Sequence, residues 1–545
     1  MKRVYAFENE VHLHHQKQIM KKKLIITMLG CMALGAVQAK EAPNVIVIFT
    51  DDLGYGDVGC YGATKVKTPN IDQLAKDGKR FTDAHSASAV CTPSRYALMT
   101  GDYPIRAEGG QGIWSPRGLA PMMIDTEDFT IADAFKQKGY ATACVGKWHL
   151  GFGTERNLDY TQPLSPGPND VGFDYYFGMP VVNSSPPYVY VENDKIVGGV
   201  EDDPLYVIPR DQVSENKMPV LPVGASTRVP NRFNGAKKAH ELFVEEEVAE
   251  MFTKKSVEWI EANKENPFFL YLATTHIHHP FTPHKRFQGT SEIGLYGDFI
   301  HELDWMVGEL VQALEQNGLT ENTLILFTSD NGGMFNQGGQ DAWAAGHAQN
   351  GELLGYKFGA WEGGHRVPFI VKWPGKITPA TESDEVVCNV DFLATFASII
   401  GAEVPTGEAT DSEDMSQTFL SDAEGIGREE LLIAPWRKSN LAVRKGKWLF
   451  IDAQGAGGFG GKSGHGFAGP AAVSFMGRVN SDINMETGWY KEDAAPAQLY
   501  DLEADVTQTT NLYHQYPEVV KELRALLDAE FPNREMPTKK APGKK

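Results

Sequence analysis

Asn44-Val45-Ile46-Val47-Ile48-Phe49 is an unbroken apolar run, followed at once by Thr50-Asp51-Asp52. A run without polar alternation suits a strand buried on both faces, as in parallel sheets covered by helices. The chain downstream repeats the pattern. Thr68-Pro69 opens a helix with a cap residue and a proline in the first turn; Ile71, Leu74 and Ala75 share a face, and Gly78 ends it. Thr130 caps a second helix through Ile131 and Phe135 to Gly139, and residues 140–145 follow as a strand. Residues 241–263 read as one long amphipathic helix, 268–273 as another buried strand, 295–316 as a helix and 323–328 as a strand. This alternation predicts an α/β fold over residues 42–410, a large mixed, mostly parallel sheet sandwiched by helices.

Beyond about residue 403 the pattern changes. Short strands at 431–433, 441–444, 448–451 and 498–500, a Gly-rich loop at 455–469 and a helix at 517–531 predict a smaller C-terminal antiparallel sheet plus helix, an α+β subdomain over 425–532. The Lys- and Pro-rich residues 533–545 read as a disordered tail. At the other end, Lys21-Lys22-Lys23 precedes an apolar stretch at 24–37 and Val37-Gln38-Ala39. A charged start, a short apolar centre and a small-residue cleavage pattern read as a signal peptide over 1–39. The expectation is export, to a bacterial periplasm, with no stable membrane span because the stretch is too short. The charged segment before Met20 is foreign to such a leader and places the true start at Met20. Leu29-Gly30-Cys31 resembles a lipoprotein cleavage site only weakly, since Met28 is poor there; a lipid anchor is the lesser alternative.

The 545-residue chain carries 71 acidic and 51 basic residues, a net charge of −20. That excludes nucleic acid as a partner, and any anionic ligand would need a local cluster of cations. Cys60, Cys91, Cys144 and Cys388 lack metal-type spacing and form no disulfide framework. Cys60, Cys144 and Cys388 read as small buried hydrophobes.

Ligands of open α/β sheets bind beyond the carboxyl ends of the strands. The first strand ends in Asp51-Asp52, the second in Gly146-Lys147-Trp148-His149, the third in His276-Ile277-His278-His279, and the fourth in Asp330-Asn331-Gly332-Gly333. Asp51, Asp52, Asp330 and Asn331 are hard oxygen donors that suit Ca²⁺ or Mg²⁺. Taken singly, each pair could be no more than turn residues; the coincidence at several strand ends favours a metal. Cys91-Thr92-Pro93-Ser94-Arg95 reads as a helix opening just after the cysteine, where negative charge is favoured. A lone Cys91 is either a nucleophile or a packing residue.

Cys91-Thr92-Pro93-Ser94-Arg95 followed by Leu98-Met99-Thr100-Gly101 resembles the signature of type I sulfatases, whose cysteine is oxidised to formylglycine. So do residues 139–151, Asp51-Asp52-Leu53-Gly54-Tyr55-Gly56-Asp57, Asp330-Asn331-Gly332, and Lys357 before Trp361-Glu362-Gly363-Gly364. The resemblance runs from about Asn44 to Trp373 and is to the arylsulfatase A class, within the alkaline phosphatase superfamily. It implies one Ca²⁺ ion held by Asp51, Asp52, Asp330, Asn331 and residue 91, and a maturation enzyme that makes formylglycine from Cys91. A hydrate oxygen would attack sulfur in line with the departing alcohol, with Arg95 holding the hydrate and Lys147 and Lys357 gripping sulfate oxygens. His278 would protonate the alcohol, and His149 would take the proton from the second hydroxyl as sulfate leaves.

Some alternatives stay open on sequence alone. His276 or His279 could replace His278, and Lys357 could be a solvated turn residue. His347 and His365 read as loop or substrate residues; Arg366 reads as a substrate contact or an internal salt bridge. A sulfated saccharide is the expected substrate, with 6-O-sulfated galactose or N-acetylgalactosamine suggested by resemblance around Pro186-Pro187-Tyr188-Val189-Tyr190. That segment, within 178–200, and residues 339–351 with Trp343 offer aromatic rings for sugar stacking. A phosphodiesterase or phosphonate hydrolase of the same superfamily, marked by a paired set of extra metal ligands, is one alternative. A non-catalytic glycan-binding homologue is the other.

Overall fold

The computed structural model describes residues 42–114, 120–155, 158–205, 236–458 and 468–532. The expected leader at 1–39 and the tail at 533–545 lie outside the described residues, as does 459–467 of the Gly-rich stretch.

Asn44–Thr50 is the axis of a ten-stranded sheet. It pairs in parallel with Phe268–Ala273 on one side and Thr323–Ser329 on the other. Ala141–Lys147 and Tyr175–Met179 continue the parallel set beyond Phe268–Ala273. Phe369–Lys372 joins the opposite side antiparallel, so the sheet is mixed and mostly parallel. Alternate side chains of the first strand enter two different cores. Val45, Val47 and Phe49 pack with Leu98, Phe135 and Phe392; Ile46 and Ile48 pack with Leu74, Phe252 and Leu303. Helices thus cover both faces, which is why the strand needed no polar residue.

The C-terminal sheet orders Glu430–Ile433, Ala442–Lys445, Trp448–Ile451 and Gln498–Asp501, each antiparallel to its neighbour. Pro517–Glu530 buries Val520, Leu523 and Leu527 against the same core. This matches the expected antiparallel sheet with one helix.

The local differences have tertiary causes. Helix 241–263 is interrupted: Lys237–Leu242 ends early, and Val248–Asn263 begins only after a 3-10 turn, Glu245–Glu247. Phe243 turns inward in extended conformation, with its ring 5.0 Å from that of Tyr190. Thr130 does cap Ile131–Gln137, in a capping box with Asp133. Thr68 does not cap Pro69–Asp77; its hydroxyl accepts Gly59 N–H and donates to Asp72. Asp304, from Leu295–Gln316, fills that role by accepting the Asn70 and Ile71 N–H groups at 3.0 and 2.9 Å. The strand expected at 140–145 runs on to Lys147.

Phe135 stacks on Phe269 with centroids 4.1 Å apart and planes 5° from parallel. Both rings are wholly buried. Phe135→Ala is expected to cost about 3–5 kcal/mol of stability, seen as a lower urea midpoint, and Phe135→Leu clearly less. Equal midpoints for the two variants would contradict this packing.

Candidate active site

Adjacent parallel strands deliver their carboxyl ends to one edge of the sheet. There, three carboxylates meet three cations, each drawn from a different part of the chain. Arg95, one turn into the helix Cys91–Thr100, grips Asp330 Oδ2 through Nη2 and Nε at 2.8 and 3.1 Å. Lys147, the last residue of its strand, donates from Nζ to Asp51 Oδ2 at 2.7 Å. Lys357 donates to Asp52 Oδ1. None of the six side chains is more than 3% exposed. Three charges of each sign cancel, as burial demands. Lys357 is therefore no surface residue. Burial opposes its charge, but Asp52 overrides that and holds the ammonium above its ordinary range.

Cys91 opens its helix, and its Sγ lies 3.6 Å from His149 Nδ1. Burial pushes the Cys91 thiol up, while Lys147 and Lys357 pull it down. Asp52 and His149 both hold positive φ, 62° and 60°. Non-glycine residues adopt that conformation at a cost that concentrates in functional sites. Gly54 and Gly56 explain the glycines after Asp52. A Cβ on either would lie 2.3 Å from a carbonyl oxygen, of Gln349 and Ala348 respectively.

The oxygen donors test for a metal. Asn331 donates its Nδ2 hydrogens to Asp52 Oδ1 and Gly332 O, at 2.8 and 2.9 Å. Its own Oδ1 is buried with no partner, and so is Asp51 Oδ1. A cation seated here would satisfy both buried acceptors. Donor atoms of Asp51, Cys91 and Asp330 lie within 4.8 Å of one another. A hard-oxygen set of this kind fits Ca²⁺. Asp51 and Asp330 could thus hold one ion beside residue 91; Asn331, with its partnerless oxygen, and Asp52, whose Oδ1 takes Lys357 and Asn331, are the further candidates.

Of the three candidate histidines, His276 separates from the other two. His276 turns away, its Nε2 on buried Glu302 at 3.0 Å. His278 donates from Nδ1 to the His279 carbonyl at 2.7 Å, leaving Nε2 3.8 Å from Asp52 Oδ2. Asn183 Nδ2 anchors the His278 carbonyl at 2.9 Å. Burial, then His279, Lys357 and Lys147, hold the His278 imidazole well below its ordinary range. Burial also pushes His279 down to about 4.

Other candidates serve the scaffold. His347 pairs with Asp57 at 2.7 Å, and Asp57 also accepts Tyr296 O–H and Gly54 N–H. Asp57 thereby ties the Asp51-Asp52 loop to two distant segments, a role its place in the motif did not reveal. His365 meets His85, and Arg366 is an internal salt bridge to Asp83 and Glu362. The expected sugar-stacking role fails for Tyr190, which is packed between Phe177, Phe243 and Phe252. Trp343 lies under the Arg478 guanidinium, 5.6 Å from its carbon. Cys144 and Cys388 are buried as expected, but Cys60 only partly.

The C-terminal region also supports the site, through one sheet strand and the loops around it, and no sequence motif announced it. Trp361 Nε1 donates to Gln498 Oε1 and Glu362 N to Gln508 Oε1, both at 2.9 Å. Ala360 N donates to Ala456 O, and Trp436 N to Phe358 O. These bonds grip the segment that carries Lys357.

The family model for Sulfatase matches residues 43–402. An N-acetylgalactosamine-6-O-sulfatase of Bacteroides thetaiotaomicron is 37% identical over 514 residues, covering 90% of this chain and 94% of the relative. Human arylsulfatase A is 32% identical over 523 residues, covering 92% and 90%. A solved Bacteroides thetaiotaomicron structure, from a core genetic locus for metabolism of multiple glycosaminoglycans, superposes with a TM-score of 0.76 at 35% identity. It covers 90% of this chain and 100% of that one.

The two partnerless oxygens predict that Ca²⁺ stabilises chelator-treated protein. At a hundredfold excess over Kd the gain is about 2.7 kcal/mol, read as a higher unfolding temperature. Asp51→Asn should remove most of that gain. A calcium-independent unfolding temperature would contradict the donor assignment.

Proposed function

The chain belongs to the sulfatase family and is a sulfuric ester hydrolase, and from that premise we propose that it removes 6-O-sulfate from N-acetylgalactosamine or galactose units of sulfated glycans, with Ca²⁺ and a formylglycine made from Cys91. The relative named for N-acetylgalactosamine-6-O-sulfate matches this chain over nearly its whole length, which supports the sugar. The observation that carries the chemistry is the ring of Arg95, Lys147 and Lys357 around residue 91 and the partnerless oxygens. Paired cations and carboxylates balance before any ion arrives. A divalent cation would therefore leave the pocket positive, as an anionic sulfate ester requires.

Ca²⁺ would supply charge withdrawal from a sulfate oxygen, and the modified residue 91 an oxygen nucleophile with a second hydroxyl. The chain's own residues do the rest. Lys147 and Lys357 turn part of their hydrogen bonding from carboxylates to sulfate oxygens. Arg95, fixed on Asp330, holds the side chain at position 91. His149, beside that position, takes a proton from it as sulfate departs. His278 presents Nε2 to the leaving oxygen; the resting ring keeps its hydrogen on Nδ1, so it would protonate the alcohol only after Nε2 takes up a proton beside the bound anion. Cys91 is buried in the finished fold, so the maturation enzyme would have to meet it before the fold closes. The charged start, apolar stretch and Val37-Gln38-Ala39 would fit export to the periplasm; no described helix is long and apolar enough to cross a membrane.

Assay of defined sulfated saccharides beside a phosphate diester tests the reading. Turnover of 6-O-sulfated saccharides is expected, and preference for the phosphate ester would overturn it. Cys91→Ala should abolish turnover with an unchanged circular dichroism spectrum. Peptide mass spectrometry of active protein should show residue 91 as an aldehyde rather than a thiol. His278→Ala should lose roughly 10²–10⁴-fold on a sugar sulfate but far less on nitrophenyl sulfate, whose leaving group needs no proton. Equal losses on both would remove His278 from the acid role.

A further inference from the structure

Asp52, His278 and His279 bring one carboxylate oxygen and two ring nitrogens within 4.8 Å of one another, beside the oxygen-rich pocket. The chemistry of this trio differs from its neighbour's. Asp51, Asp330 and Asn331 offer oxygens, which suit calcium. Two imidazoles and a carboxylate are the donors that Zn²⁺ and similar borderline cations prefer.

The geometry is already close to a ligand set. His278 donates its Nδ1 hydrogen to the His279 carbonyl at 2.7 Å, so the neutral ring turns the Nε2 lone pair toward Asp52. A backbone carbonyl that fixes the tautomer is a common support for metal-binding histidines. The His279 ring stacks on that of His278 with centroids 4.4 Å apart. His279 Nδ1 is buried and has no hydrogen-bond partner. His278 Nε2 and Asp52 Oδ2 are 3.8 Å apart. Two tetrahedral ligands of zinc stand roughly 3.4 Å apart, given bonds near 2.0–2.1 Å, so a small side-chain shift closes the set. Asp52 divides its oxygens in a way that permits this: Lys357 and Asn331 both occupy Oδ1, and Oδ2 faces His278.

We propose that Asp52, His278 and His279 form a second, inhibitory metal site that takes Zn²⁺ and shares Asp52 with the calcium pocket. Binding forms coordinate bonds only, with no electron transfer and no proton released from His278, whose Nε2 carries none in the neutral ring. The ion occupies the nitrogen that would protonate the departing alcohol, so turnover stops while the oxygen-lined pocket stays intact. Metal binding is independent of the sulfatase reading; its inhibitory effect rests on it.

The test uses the full, calcium-saturated protein and Zn²⁺ alone. Calorimetric titration is expected to show one zinc site, with reversible loss of sulfatase turnover over the same concentration range. His279→Gln should weaken zinc binding and inhibition by at least ~10-fold, while keeping the zinc-free turnover of the parent. Diffraction from zinc-soaked crystals of the unaltered protein, recorded at the zinc edge, needs no variant to fold. It should place an anomalous peak within bonding distance of His278 Nε2, His279 and Asp52 Oδ2. A peak only between Asp51 and Asp330, or inhibition that survives His279→Gln and is relieved by excess Ca²⁺, would overturn the proposal. So would the absence of any peak. Should the protein prove inactive on every sulfate ester, calorimetry and diffraction still decide whether the site exists.

Discussion

The fold rests on cancelling buried charge where its parallel strands end. Asp51, Asp52 and Asp330 lie out of water, and an unpaired carboxylate there would be intolerable. Each is matched by one cation, and the three cations come from a helix near residue 95, a neighbouring strand and a loop some two hundred residues later. The pairings therefore act as long-range staples between segments that share no local structure. They also mean that the groups available to an anion are the groups that hold the resting pocket together. In the proposed reaction, substrate binding would be an exchange of partners among these charges.

Much of this was legible before any coordinates. Apolar runs such as 44–49 and 268–273 announce buried strands by composition alone, since no solvent-facing residue interrupts them. Once the strands are placed, Asp51, Asp52, Lys147, Asp330 and Asn331 fall at their carboxyl ends without further argument. What the sequence hid were partnerships across the chain. Asp304 caps a helix that lies more than two hundred residues earlier, displacing Thr68 from that role. Phe243 breaks a helix because an aromatic pocket draws it inward, a contact that helical periodicity cannot register. Tyr190 sits in a stretch that read as sugar-facing, yet the same ring chemistry serves the core. Among three neighbouring histidines the resemblance and the register of the preceding strand favour His278, leaving His276 and His279 as alternatives. Glu302, on a separate helix, takes His276 and settles that member of the trio.

The loop geometry carries a second lesson. Asp52 and His149 keep left-handed backbone conformations, although neither is glycine. Asp57, His347 and Tyr296 form a buried knot that holds the first of these loops in place. The structure spends favourable contacts at a distance to maintain unfavourable torsions at the centre, which aims the side chains and limits their drift.

The grip of Gln498 and Gln508 ties the C-terminal part of the chain to the segment carrying Lys357, the lysine that the proposed function sets on a sulfate oxygen. The two units are not interchangeable modules. A chimera that joined this catalytic unit to a terminal sheet from a distant homologue would inherit every pocket residue and still misplace an ammonium. Conversely, the strength of anion capture could be retuned by editing glutamines far from the reacting atoms, leaving the pocket's own side chains untouched.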